Sequence, residues 1–291
     1  MLKRAYKVVD AFSSRPFLGN PVAVILDAEG LDTAAMQAIA GWTNLSETTF
    51  LLPPTMPEAD YRLRIFTPRS ELPFAGHPTL GSAHAMLEAG RVTPRNGKLV
   101  QECRIGLVNL TVDSEGPERR ITLDLPAATV TPLAAADVAE MEAILGRPVD
   151  AGAVPSIVNV GAVWAVAQMA DAETVLDLRP DFARSVKFEQ RLGITGITVF
   201  GAHGGGEAAI EVRSFAPSCG VEEDPVCGSG NGSVAVFRRD RGLLPAGGAD
   251  YLAAQGRRVG RDGRIAVKVD ATGKVSIGGV CVTCVDGFLA G

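Results

Sequence analysis

No excess of positive charge marks this chain: 28 Lys and Arg stand against 33 Asp and Glu, a formal net charge of −5. With no basic stripe interleaved with aromatic residues, the electrostatic footprint of a nucleic-acid binder is missing. Long apolar runs are missing too. The longest, near residues 160–166, falls far short of the roughly 20 residues that span a bilayer, so no membrane partner is expected. The opening residues, Met1-Leu2-Lys3-Arg4-Ala5-Tyr6-Lys7, lack the apolar segment of a secretory signal. Five scattered cysteines make no disulfide framework, and a cytoplasmic, reduced protein is the expectation. What remains is a composition of 46% hydrophobic and 21% charged residues, that of a globular chain rather than a disordered one. Its 291 residues suffice for two ordinary domains, each with its own core.

The most informative stretch is 71–90, Glu-Leu-Pro-Phe-Ala-Gly-His-Pro-Thr-Leu-Gly-Ser-Ala-His-Ala-Met-Leu-Glu-Ala-Gly. It reads as a loop turning into a helix at Gly76-His77, with Pro78 where a first turn tolerates proline and Gly90 as a stop. Few of its residues are charged, which predicts a helix buried on most sides. Its mouth would present free backbone N–H groups to an anion such as a carboxylate.

The same design returns at 223–237. Pro73 matches Pro225 and Gly76 matches Gly228; upstream, Arg64-Ile65-Phe66-Thr67-Pro68 matches Arg213-Ser214-Phe215-Ala216-Pro217, and the run 19–24 matches 161–166. Three ordered offsets that grow slowly, 142 for residues 19 and 161, 149 for 64 and 213 and 152 for 76 and 228, argue for an internal duplication of domain size.

In chain order, strands are expected at 6–12, 21–26, after Asn44 to Pro53, and at 61–67, with a helix capped by Asp32 running to about Gly41. Strands near 98–104, 107–113 and 119–125 close the first half. The second half opens with a helix at 136–145. It continues with strands at 156–160 and 162–168, helical material at 171–192, strands at 196–200 and 208–215, and a helix at 230–241. Strands at 264–269 and 274–285 end the chain. No linker-like tract separates the halves, so they are expected to pack closely around a cleft, the default binding site.

Glu47, leading into an apolar strand, is either an exposed strand-end acid or a general base and acid whose pKa burial would raise. His77 at the helix mouth is a capping or a site residue; His84 is expected to be packed in the helix and His203, in a glycine-rich connection, solvated. Asp224 either complements a helix dipole or orients a substrate group. Cys227 beside a helix N-terminus is either a reactive thiol of lowered pKa or a small buried residue; its counterpart Ala75 excludes a symmetric two-thiol device. Cys281-Val282-Thr283-Cys284 has the spacing of a redox or zinc half-site, but no second pair completes it, and regular strand alternation would send the two sulfurs to opposite faces. The run Gly228-Ser229-Gly230-Asn231-Gly232 matches neither a Walker loop nor a dinucleotide fingerprint.

Taken together, Val9-Asp10-Ala11-Phe12 with Gly19-Asn20-Pro21-Val22-Ala23-Val24, Asn44-Leu45-Ser46-Glu47-Thr48, Phe74-Ala75-Gly76-His77-Pro78-Thr79-Leu80-Gly81 and Glu223-Asp224-Pro225-Val226-Cys227-Gly228-Ser229 resemble the PhzF phenazine-biosynthesis-like isomerases. The resemblance runs over essentially the whole chain. It implies an α/β (α+β) protein of diaminopimelate epimerase-like fold: two pseudo-symmetric domains, each a curved, mainly antiparallel sheet around a central helix. The domains implied are 1–127, joined by a tail from about 277 to 291, and 128–276. A homodimer is usual in the family. The implied activity is a cofactor-independent, metal-free shift of a proton within a small carboxylate-bearing metabolite, as in trans-2,3-dihydro-3-hydroxyanthranilate isomerisation. Glu47 would be the acid/base with His77 and Asp224, and Ser46, Gly76, Cys227, Gly228, Ser229 and Gly230 would line the substrate. One departure is Cys227, where PhzF proteins more often carry threonine and where the epimerases and proline racemases carry a catalytic cysteine. An amino-acid epimerase or hydroxyproline-type dehydratase using Glu47 and Cys227 is thus an alternative, as is a non-catalytic binding protein. An acid near the operating pH would want dry, apolar surroundings, which Phe50 and Leu51 are expected to supply.

Overall fold

In the computed structural model, which describes residues 3–113 and 119–290, the chain divides into two units: 1–123 with 278–291, and 124–277.

The first unit runs β1 (Lys3–Ala11), β2 (Asn20–Ile25), α1 (Thr33–Thr43), β3 (Glu47–Leu52), β4 (Tyr61–Phe66), β5 (Glu71–Leu72), α2 (Gly76–Glu88), β6 (Lys98–Cys103), β7 (Gly106–Asp113) and β8 (Arg120–Asp124). Asp32 caps α1 by accepting from the Ala35 N–H at 2.8 Å, and Asn44 ends it in the left-handed region. The apolar run of β2 lets it pair on both sides, antiparallel with β1 and parallel with β3. β3 then pairs antiparallel with β4, β4 parallel with β6, and β6 antiparallel with β7. Every residue of α2 from His77 to Met86 is buried, so the helix is enclosed as its low charge predicts. A side chain at Gly81 would strike Val22, its Cβ only 2.4 Å from a valine methyl, so glycine is what lets α2 lie against β2.

The second unit runs β9 (Thr129–Pro132), α3 (Ala135–Leu145), β10 (Ser156–Asn159), β11 (Val163–Gln168), α4 (Ala172–Asp177), α5 (Phe182–Leu192), β12 (Gly196–Ala202), β13 (Ile210–Ala216), β14 (Val221–Asp224), α6 (Gly228–Asp240), β15 (Ala249–Gln255) and β16 (Gly263–Val269). β17 (Val275–Ala290) ends the chain. The expected helical material at 171–192 is two helices, because Pro180 cannot continue α4 and Asp181 caps α5 afresh. The pairing sequence repeats that of the first unit: β10 with β11 antiparallel, β11 with β12 parallel, β12 with β13 antiparallel, β13 with β15 parallel, β15 with β16 antiparallel. The register repeats as well. Val22 stands beside Glu47 in one unit, and Trp164, 142 positions after Val22 in sequence, stands beside Gly196 in the other. The expected fold class is therefore observed: two like-built α/β units, each with a mainly antiparallel sheet and one enclosed helix.

The last strand returns to the first unit, where residues 281–290 pair antiparallel with β1. Val8 faces Val285 and Val9 faces Thr283, which leaves Cys284 as the extra residue of a β-bulge.

Candidate active site

In the first unit the parallel pairing of β2 and β3 sets Glu47 at the opening end of β3, and α2 begins beside it. His77, in the first turn of α2, places Nε2 3.1 Å from Glu47 Oε2; the two side chains are 9% and 16% exposed. Burial pushes the Glu47 carboxyl up, but the His77 ring and the Ser46 hydroxyl, which donates to the carboxylate, outweigh it, and the pKa lies below the ordinary value. This corrects the expectation of an acid raised by burial. The reason is local: a charge-assisted contact at this distance favours the anion more than partial desolvation disfavours it. Phe50 does not serve as the apolar wall expected of it. Strand alternation turns it away from Glu47, and it packs with Met36 and Ala40 of α1. Glu47 shares its face with Thr49, whose hydroxyl accepts from Ser82 of α2 at 2.9 Å, and with the buried Leu51, so this face is polar next to the acid and apolar two residues further on.

Gly76 opens α2 with no side-chain cap at Ala75. The Gly76 N–H stands at the first position of the helix, where no carbonyl of the same helix can accept it, the condition for holding an anion. His77 Nδ1 lies 3.4 Å from the side-chain amide nitrogen of Asn20, a residue 1% exposed. Asn20 belongs to the motif Gly19-Asn20-Pro21, but nothing in its spacing linked it to a histidine 57 positions away.

In the second unit Asp224 ends β14, accepts from the Val226 N–H at 3.1 Å, and through its carbonyl accepts from Gln255 Nε2 at 2.9 Å. Cys227 is the N-cap of α6, its sulfur accepting from the Gly230 N–H at 3.2 Å. Burial, with the Asp224 charge behind it, pushes the Cys227 thiol well above the ordinary cysteine range. A lone helix terminus does not overcome that burial, so the group is a protonated thiol and not a thiolate base. Gly230 lies so close to Ser214 Oγ that a Cβ would stand 2.4 Å away. Ser229 accepts a hydrogen bond from Trp164 Nε1 at 3.0 Å, and Gly228 is buried at the first position of the helix. The Gln255 carbonyl oxygen ties the mouth down, accepting from the Cys227 N–H at 3.1 Å and from Asn231 Nδ2 at 2.7 Å. Sequence reasoning passed over both Trp164 and Gln255, which lie far in sequence from the groups they hold.

Other candidates separate from these two mouths. His84 is packed in α2 as expected, and burial lowers its pKa. His203 is not solvated: its Nε2 lies 3.1 Å from a Glu211 carboxylate whose side chain is wholly buried. The bulge at Cys284 interrupts the regular alternation between Cys281 and Cys284. The backbone N–H of Phe12 meets the first sulfur and that of Phe17 the second, and burial raises both thiols, Cys281 to about 12. Among the described residues no three His, Cys, Asp or Glu side chains group as a metal site, and no helix is long and apolar enough to cross a membrane.

Residues 9–287 match the sequence pattern of the PhzC-PhzF phenazine biosynthesis-like proteins. The chain is 42% identical to antisense-enhancing sequence 1 of Schizosaccharomyces pombe, with 99% of each chain covered. It is 33% identical to the trans-2,3-dihydro-3-hydroxyanthranilate isomerase of Pseudomonas aeruginosa, over 92% of this chain and 91% of that one. Its fold superposes on the Bacillus anthracis phenazine biosynthesis protein of the PhzF family with a TM-score of 0.88, covering all of both chains at 23% identity. The chain thus belongs to the phenazine biosynthesis-like (PhzF) family of isomerases.

Proposed function

We propose that the protein shifts a proton between two carbons of a small carboxylate-bearing metabolite, of the kind named for the Pseudomonas relative, with Glu47 as base and then acid. The observation that carries this reading is the buried Glu47 carboxylate at 3.1 Å from His77, beside the open first turn of α2. Glu47 accepts a proton from one carbon, leaving the electron pair in the substrate's π system, and returns the proton to another carbon. One C–H bond breaks and one forms, so the step balances without an oxidant or reductant. His77 and Ser46 keep the carboxylate ionised until the substrate arrives, and the α2 N–H groups at Gly76 suit the substrate's carboxylate.

Glu47→Gln keeps the shape but cannot accept a proton. With trans-2,3-dihydro-3-hydroxyanthranilate as substrate, turnover and deuterium wash-in from solvent should fall by about 10³-fold, within the range of a lost general acid–base, while binding stays within a few-fold. Retained turnover would remove Glu47 from the chemistry. The pH profile adds a second check. A base must be ionised, and this carboxyl sits below its usual 4.5. Activity, expressed as kcat/KM, should therefore hold down to that value and be lost only as pH falls through the lowered pKa. An acid limb above 4.5 would assign the base to another group.

A further inference from the structure

We infer that Asn20 is a positioning residue that fixes the proton of His77 on Nε2, so that the proton gathered by Glu47 cannot pass to the histidine. This rests on Glu47 being the acid/base. The amide nitrogen of Asn20, a pure donor, lies 3.4 Å from His77 Nδ1. Nδ1 must therefore accept, and the single proton of the neutral ring sits on Nε2, facing Glu47 Oε2 at 3.1 Å. A ring nitrogen that already carries a proton has no lone pair to offer. Glu47, once protonated by the substrate, has no base in His77 and must give its proton back to the substrate.

The segment before Asn20 is built to hold that amide in place. Gly19 donates its N–H to Asp10 Oδ2 at 3.1 Å. Phe12 and Phe17 take φ values of 64° and 69°, a left-handed conformation that bulky residues adopt only under constraint. The constraint is visible: their N–H groups are those that reach the Cys281 and Cys284 sulfurs. A loop anchored at three points delivers Asn20 to the first position of β2, where it pairs with Ala11.

The test is ¹⁵N NMR of histidine-labelled protein, which gives only three rings to assign; the His77 signals are those lost in His77→Gln. Wild type should show Nδ1 unprotonated and Nε2 protonated. In Asn20→Asp the new carboxylate can only accept, so the proton should move to Nδ1 or a second one should join it. Turnover should then fall by about 10²-fold, the scale of a misplaced acid–base partner, and the ratio of solvent exchange to turnover should rise. Asn20→Leu, with no donor, should give mixed tautomers. A wild-type spectrum with the proton on Nδ1 overturns the inference whether or not the variants fold, and so do unchanged His77 shifts in both variants. Failure of the isomerase reading is a separate result, since Glu47→Gln would then retain turnover whatever the tautomer of His77.

Discussion

The mouths of the two enclosed helices descend from one design, and they have kept the frame while exchanging the chemistry. The frame is an arginine on β4 or β13. Arg64 grips Glu71 through two nitrogens at 2.8 Å, and Arg213 grips Glu223 at 3.0 and 2.7 Å. Each guanidinium also lies over an aromatic ring, Phe66 at 5.1 Å in one unit and Phe215 at 4.8 Å in the other. Within that frame Glu47 corresponds to Gly196, Val22 to Trp164, His77 to Ser229 and Ala75 to Cys227. Where the first unit holds a carboxylate against an imidazole, the second holds an indole. A Cβ at Gly196 would stand 2.1 Å from the Phe215 carbonyl oxygen and 2.8 Å from the Trp164 ring. Trp164 occupies the room a carboxylate would need and gives its N–H to Ser229. Duplication supplied two mouths, and only the first has room for a side chain at the position of Glu47.

Three experiments bear on that comparison, beginning with the largest expected effect. Gly196→Ala should lower the stability of the second unit by about 3 kcal/mol or more, since the added carbon meets backbone that cannot swing aside; the midpoint of urea unfolding reads it. A wild-type midpoint would mean that the site has room for a side chain after all. Next come the two arginines. The side chains of Arg213 and Glu223 are 5% and 8% exposed against 23% and 16% for Arg64 and Glu71, and Arg213 also donates to the carbonyls of Val175 and Leu178. Arg213→Met should therefore cost about 3–5 kcal/mol, as for a broken buried pair, and Arg64→Met clearly less. Equal losses would remove the asymmetry. The smallest effect belongs to Cys227→Ser, which keeps a cap acceptor for the Gly230 N–H. It should leave kcat/KM within a few-fold of wild type and change stability by less than about 1 kcal/mol. A loss as large as that of Glu47→Gln would restore a two-base reading and make the second mouth chemical.

Legibility in the sequence followed distance along the chain. The repeat could be read because Arg64 and Arg213, Pro73 and Pro225, Gly76 and Gly228 recur with their local neighbours. Glu47 stood out only through the motif Asn44-Leu45-Ser46-Glu47-Thr48 and its resemblance to the PhzF proteins, since an acid opening an apolar strand is by itself as readily an exposed strand end. Its protonation state could not be read, because the His77 ring that meets it lies 30 positions away. Trp164 and Ser229 meet across 65 positions, and Gln255 reaches α6 across 28 and 24. Such contacts exist only once the strands are in register. The bulge at Cys284 was hidden for the same reason: alternation predicts faces only where no extra residue interrupts it. His203 misled because Gly204, Gly205 and Gly206 look like a free loop, while its partner Glu211 is set by the hairpin that closes beneath it.

The return of β17 to β1 has a consequence for the order in which the molecule comes into being. Lys7 is bound to Asp286, 279 positions later, at 2.7 Å, and to Glu88 at 2.9 Å. On the ribosome the first unit begins first, yet it lacks its closing strand until residues 278–290 emerge. The second unit is continuous from 124 to 277 and can fold while the first still waits with one edge of β1 unpaired. Such an edge invites pairing with other chains. Residues 278–290 therefore carry the strand that the first unit waits for: nascent chains stalled before residue 278 should hold a protease-resistant second unit and a protease-sensitive first one.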